Sequence, residues 1–148
     1  MANIKHPMPR PIVCDCCKSN DIDLLDHAVI YGRRFSDWPL IWYCWACKSL
    51  VGCHAGTDIP LGTMADKETR TARKECHDVF DRLWKKGPMT RTEAYAWLGQ
   101  CMGLTEEQCH ISRFNVDQCH EAVRLSLDKR RMTNEHSRQA ARRRKQRA

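Results

Sequence analysis

No stretch of this 148-residue chain is apolar for the roughly 20 residues that a membrane-spanning helix needs. The segment from Met1 to Pro11 also lacks an apolar signal core; it is polar and carries Pro7, Pro9 and Pro11. No membrane partner is expected. These absences bear on the ten cysteines. A disulfide framework belongs to exported chains, so a reducing, cytoplasmic compartment with thiolates serving as metal ligands is the expectation. Acidic residues are scarce at one end. The chain carries +7, yet Lys129 to Ala148 alone carries +8, with nine Lys/Arg against Glu135; the remainder nets −1. That end also has almost no apolar side chains, which excludes a core helix and predicts a disordered or weakly helical tail. A complete nuclease motif is missing as well. So is a helix presenting clustered Arg, Asn and Gln to a DNA major groove.

What the chain does have is a paired cysteine pattern. Cys14-Asp15-Cys16-Cys17 and Cys44-Trp45-Ala46-Cys47 each contain a Cys-x-x-Cys step, with 26 residues between them. Each step turns two thiolates toward one centre. Two steps supply the four soft ligands of a closed tetrahedral Zn²⁺ site: Cys14, Cys17, Cys44 and Cys47. Cys16 would leave a single residue between ligands, so Cys17 is the better donor. A redox dithiol needs one such step, not two.

The chain is expected to be α+β. A flexible arm covers 1–13. A small zinc-ribbon-like β module covers 14–54, with strands predicted at Asp23–Tyr31, Pro39–Cys44 and Lys48–His54. Three short strands bury little apolar area, so the metal must supply folding energy. Residues 55–128 are a loop over 55–64 and then a compact part of three to four helices packed on the ribbon. The first helix is predicted over 65–86 with Ala72, Cys76, Val79, Phe80, Leu83 and Trp84 on its apolar face, a Thr63–Asp66 box before it and Gly87-Pro88 as its stop. The second is predicted over 91–102, boxed by Thr90 and Glu93, with Ala94, Trp97, Leu98 and Cys101 buried and Gly103 as its stop. A short helix opens at Thr105 with Gln108. A last one opens at Asn115 with Gln118, with Val116, Cys119, Val123 and Leu127 as its stripe. Residues 129–148 are the basic disordered tail.

Tyr43-Cys44-Trp45-Ala46-Cys47, Val51-Gly52-Cys53-His54-Ala55-Gly56-Thr57 and Pro60-Leu61-Gly62-Thr63-Met64-Ala65 resemble the "zinc-finger-containing" family found in bacteriophages and prophages. Arg73, His77, Phe80-Asp81, Leu83-Trp84, Glu93-Ala94-Tyr95-Ala96-Trp97-Leu98, Cys109-His110-Ile111 and Cys119 extend the likeness over roughly 12–124. The family is a domain of unassigned function. The resemblance implies a phage-type origin, hence the host cytoplasm, and zinc held by Cys14, Cys17, Cys44 and Cys47. It supplies no activity.

Several other groups are candidates. The clearest is the basic end: Lys129, Arg130, Arg131, Arg142, Arg143, Arg144, Lys145 and Arg147 suit a polyanion. Arg33 and Arg34 lie near Trp38, Trp42, Tyr43 and Trp45, whose exposed rings would stack on unpaired bases; two of the three tryptophans are expected to be structural instead. Alternation sends Trp42 and Cys44 to one face and Tyr43 to the other. Cys109-His110 and Cys119-His120 raise a second zinc site, which common burial of cysteine opposes. His54/Asp58 and His77/Asp81 share a His-x-x-x-Asp step, suited to a divalent metal and a general base, or to a structural hydrogen bond. The expectation is a monomeric zinc protein that binds RNA or single-stranded DNA. A docking adaptor for a host transcription or translation complex and a metal-dependent nuclease are the alternatives.

Overall fold

The computed structural model describes residues 4–147. The first three residues of the expected arm and the last residue of the expected tail lie outside them. The chain divides into two compact units, Met1–Thr71 with Ser112–Phe114, and Ala72–Ile111 with Asn115–Ala148.

In the first unit, β1 (Ile22–Asp26), a helical turn α1 (Ala28–Tyr31), β2 (Leu40–Cys44) and β3 (Leu50–Gly52) follow in order. The strands form one antiparallel sheet in the order β1-β2-β3. Trp42 stands opposite Leu24 on one side and Val51 on the other. One face buries Ile41, Tyr43 and Leu50 with Leu25 and Ile30 against them. The other buries Cys14, Cys44, Val51 and Met64, flanked by Ile22, Trp42 and Cys47. The alternation expected of β2 is therefore present. Such clusters are small: each large apolar side chain contributes about 1.5–3 kcal/mol when fully buried.

The strands are shorter than expected. β1 ends at Asp26 because its Oδ1 accepts the Ala28 N–H at 2.9 Å and turns the chain into α1, which Gly32 closes with φ 78°. β3 starts after Lys48, whose φ of 67° takes it out of extended backbone. The loop beyond β3 is not irregular throughout. It returns along the sheet through bridges Cys53–Pro60 and Leu50–Ala65. Within the described residues the N-terminal arm is tethered, not loose. Arg10 makes two bonds to the Asp58 carboxylate, both 2.7 Å, and the Arg113 guanidinium donates to the His6 carbonyl.

The helix expected over 65–86 is two. α2 (Lys67–Phe80) starts where Asp66 Oδ1 accepts the Thr69 N–H at 2.8 Å; the Thr63 N–H bonds to the Ser112 carbonyl. α3 (Arg82–Lys85) follows a break at Asp81. In the second unit Ala72, Cys76, Phe80 and Leu83 are buried, as their spacing predicts. α4 (Arg91–Met102) has the full Thr90–Glu93 capping box, and Gly103 closes it with φ 68°. Its buried positions are Ala94, Leu98 and Gly99, whereas Cys101 is exposed. Gly99 replaces it because Leu104 and Cys109 come close: a Cβ there would lie 3.2 Å from the Leu104 carbonyl oxygen. Thr105 and Gln108 make their reciprocal bonds, 3.0 and 3.2 Å, around a turn and not a helix. A 3₁₀ turn spans Ile111–Arg113.

α5 runs Val116–Arg147, opened by reciprocal Asn115–Gln118 bonds. It buries Cys119, Ala122 and Ser126; Leu127, expected inside, is 49% exposed. The disordered tail expected from residue 129 is instead the second half of this helix. The reason is compositional. Between Lys129 and Arg147 there is no glycine or proline, and Met132, Gln139, Ala140, Ala141 and the Arg/Lys residues are strong helix formers. The cations of the last turn also oppose the negative end of the helix dipole. No helix among the described residues is long and apolar enough to cross a membrane.

Candidate metal centre

The two cysteine steps are built alike. In the first, the Cys14 N–H bonds to the Ser19 carbonyl at 2.8 Å and the Lys18 N–H to the Cys14 carbonyl at 2.9 Å. In the second, the Cys44 N–H bonds to the Ser49 carbonyl at 2.9 Å and the Lys48 N–H to the Cys44 carbonyl at 2.8 Å. Each turn closes through a lysine in the left-handed region, φ 64° at Lys18 and 67° at Lys48. The repeated unit is Cys-x-x-Cys-Lys-Ser, so Lys18, Ser19, Lys48 and Ser49 belong to the site's frame. The identical dipeptide after each step was the sequence signal for them.

The sheet brings the two turns face to face. Cys14 Sγ lies 3.6 Å from Cys47 Sγ, and Cys17 Sγ lies 3.6 Å from Cys44 Sγ. All four sulfurs fall within 4.8 Å of one another. A disulfide would bring two sulfurs to about 2.05 Å. A tetrahedron with Zn–S of about 2.3 Å sets them about 3.8 Å apart. The spacing is that of ligands around one ion, and the all-thiolate donor set suits zinc. A family model described as a zinc-finger-containing domain matches residues 10–129.

The chain belongs to this zinc-finger-containing family. No curated protein and no solved structure matches it. The cofactor of the finger is Zn²⁺, held by Cys14, Cys17, Cys44 and Cys47.

The electrostatics of the finger are asymmetric without its ion. The Ser49 hydroxyl, 3.1 Å from Cys47 Sγ, stabilises the thiolate and draws its pKa down to about 6. Burial pushes the Cys14 thiol up to about 12. Binding of an ion would need all four groups as thiolates and would release their protons. Around the sulfurs, the Cys16 N–H points at Cys14 Sγ, 3.4 Å away, and the Cys16 thiol itself donates to the Met64 carbonyl at 3.5 Å. Cys16 is outside the ligand group.

The other candidates disperse. Trp38 and Trp42, both half-buried, donate their indole N–H groups to the carbonyls of Thr57 and Asp58, at 2.7 and 2.8 Å. Trp45 is 46% exposed, edge-on to Tyr43 and bonded to Asp23 Oδ2. Arg33 lies over the Phe35 ring at 4.7 Å, whereas Arg34 is ion-paired to Asp26 at 2.7 Å. Lys129, Arg130, Arg131, Arg142, Arg143, Arg144, Lys145 and Arg147 all ride on α5. Asp58 is engaged by Arg10, which holds its carboxyl below the usual carboxylate range. His77 Nδ1 is 3.3 Å from both Asp81 oxygens, and Trp84 and Lys85 also approach Asp81. Cys109 donates to the Tyr95 carbonyl at 3.6 Å, and burial raises it to about 11. Cys76, buried beside Cys119, draws that thiol below its ordinary pKa. Among the described residues the only group of three or more metal-capable side chains is the Cys14–Cys17–Cys44–Cys47 set, so neither His-x-x-x-Asp pair nor the Cys109/His110/Cys119/His120 set assembles a second site.

Proposed function

We propose that this zinc finger is a phage-type, cytoplasmic nucleic-acid-binding protein acting on RNA or single strands. The observation that carries the reading is the exposed second half of α5. From Lys129 to Arg147 it holds nine cations and one carboxylate on a continuous helix. At about 1.5 Å per residue that stretch is roughly 28 Å of rigid positive rod. Arg131, Arg138, Arg142 and Lys145 follow one another at spacings of seven, four and three, which puts them on one stripe. Phosphates are the anions such a rod meets at matching density, and their release of counterions drives the association. Rigid cations give attraction without base readout, and the zinc-held ribbon supplies a shaped surface with the open Trp45 ring.

The test is binding of the full chain and of a chain ending at Asp128 to a labelled single-stranded RNA at several salt concentrations. The full chain is expected to bind with a steep negative salt slope and the shortened one to lose binding. Equal retention by the shortened chain at physiological salt contradicts the reading.

A second reading, docking on a host protein complex, is favoured by one surface of the ribbon. Tyr31 and Phe35 are exposed together beside Arg33, and Val29 on the same helical turn is exposed as well. Exposed apolar clusters on small modules mark protein contacts. Recovery of one stoichiometric partner from nuclease-treated lysate, lost in Tyr31→Ser with Phe35→Ser, supports docking; recovery that depends on intact nucleic acid counts against it.

A further inference from the structure

The second unit has a cleft of about 280 Å³ between the turn after α3 and the middle of α5. Its lip exists because of Gly87: a Cβ there would lie 2.4 Å from the Leu83 carbonyl oxygen, so a side chain at this position would push the turn open. Four cations line the cleft, Arg82 and Lys86 from one wall and Lys129 and Arg130 from the other, and no carboxylate does. The nearest acidic neighbours in sequence are engaged elsewhere. Asp81 bonds His77, Trp84 and Lys85, and Asp128 bonds Arg124 and Arg131. Lys129 is steadied over the Trp97 ring at 5.6 Å. Among the described residues Arg82, Lys86 and Arg130 have no acidic partner. Four like charges gathered around one concavity repel one another, and an anion relieves that cost. The floor is apolar, made by Leu83, Pro88 and Met89.

From this pairing of a cationic rim with an apolar floor, we infer that the cleft seats one unpaired nucleotide of a bound strand. Its phosphate lies among the four cations and its base lies on the Leu83–Pro88–Met89 floor. The inference deepens the nucleic-acid reading and rests on it. At about 280 Å³ the cleft is at or just under the small end of ligand pockets, which leaves no room for a duplex. An apolar lining accepts any base face, so the seat confers preference for unpaired strands over paired ones, with little sequence preference. A bare carboxylate chain would use the rim and leave the floor wet. This separates the cleft from α5's distal cations, which attract any polyanion.

The experiment uses the full zinc-loaded chain and a single-stranded oligoribonucleotide of about six nucleotides carrying 4-thiouridine, within the usual footprint of such sites. Mapped crosslinks are expected in 82–89 and 129–134. Arg82→Glu with Lys86→Glu, both solvent-facing positions, is expected to weaken binding at least tenfold, and Lys86→Arg to restore it in the single-site comparison with Lys86→Glu. Replacing Arg142, Arg143, Arg144, Lys145 and Arg147 by Gln is expected to flatten the salt slope while leaving the crosslinks in place. Binding with crosslinks only outside the cleft, and equal loss from the cleft and distal variants, overturns the seat but leaves nucleic-acid binding standing. Competition by a poly-glutamate peptide or a duplex as strong as by the unpaired strand also overturns it. Failure of the hexamer and of longer strands to bind at all overturns both readings.

Discussion

Asp15 Oδ2 accepts the backbone N–H of Met64 at 2.8 Å, joining residues 49 apart. Asp15 lies inside the first cysteine step, and Met64 packs against Cys14 and Cys44. The carboxylate therefore locks the first zinc-binding turn to the loop that returns from β3. Cys16 adds a weaker tie from its thiol to the Met64 carbonyl.

Replacing Asp15 by Ala should loosen that lock without removing a ligand. A hydrogen bond to a charged acceptor contributes about 1.5–3 kcal/mol when shielded, and exposure at Asp15 brings the expected loss to about 1 kcal/mol. Denaturation of the zinc-loaded variant checks it. An unchanged midpoint would show that the loop is held by Met64 packing alone.

Lys18 and Lys48 adopt φ of 64° and 67°, where a Cβ is strained. Lys48→Gly should leave stability unchanged or raise it slightly, because relief of about 1 kcal/mol opposes the entropy that glycine loses on folding. Lys48→Val should cost more than about 1 kcal/mol, since β-branching suits the left-handed region worst. Thermal melts of the two variants side by side give the comparison.

Gly62 passes so close to Ser112 that an added Cβ would sit 1.9 Å from its carbonyl oxygen. The Ser112 hydroxyl donates to the Leu61 carbonyl at 2.7 Å, and the Thr63 N–H bonds back to Ser112. Gly62→Ala should destabilise the chain by about 1–3 kcal/mol through backbone displacement. Ser112→Ala, which removes one hydroxyl, should cost about 1 kcal/mol. Equal effects would mean that the close approach relaxes freely.

Glu93 gives a pH dependence away from the metal. The Thr90 backbone N–H donates to its carboxylate and holds its pKa below the ordinary 4.5. The charged form is the one stabilised, so this contribution is complete above pH 4.5 and is lost as pH falls through the lower folded value. A carbon-detected NMR titration should place the Glu93 midpoint under 4.5. Glu93→Gln should keep the cap and remove that step from the pH profile of α4.

How far the sequence revealed this molecule differs from element to element. α4 was legible end to end because Thr90, Glu93 and Gly103 mark it locally. The ligand set was legible because spacing in the chain fixes geometry within each cysteine step. The extent of β1 was not, since strand-forming residues at 28–31 were overruled by one Asp26 side-chain bond. The inner face of α5 was misread from apolar size: Ala122 and Ser126 are buried, and Leu127 is not. The charged half of α5 was misread because charge density was weighed above helix propensity. The Asp15–Met64 lock and the Gly62–Ser112 approach join positions about 50 apart, and no local pattern encodes them.

Native mass spectrometry of the freshly purified full chain tests the central claim most directly. One bound zinc per chain is expected for the natural sequence and for Cys16→Ser, and none for Cys17→Ser or Cys44→Ser. A zinc-free natural chain, or zinc retained after Cys44→Ser, would contradict the four-cysteine site.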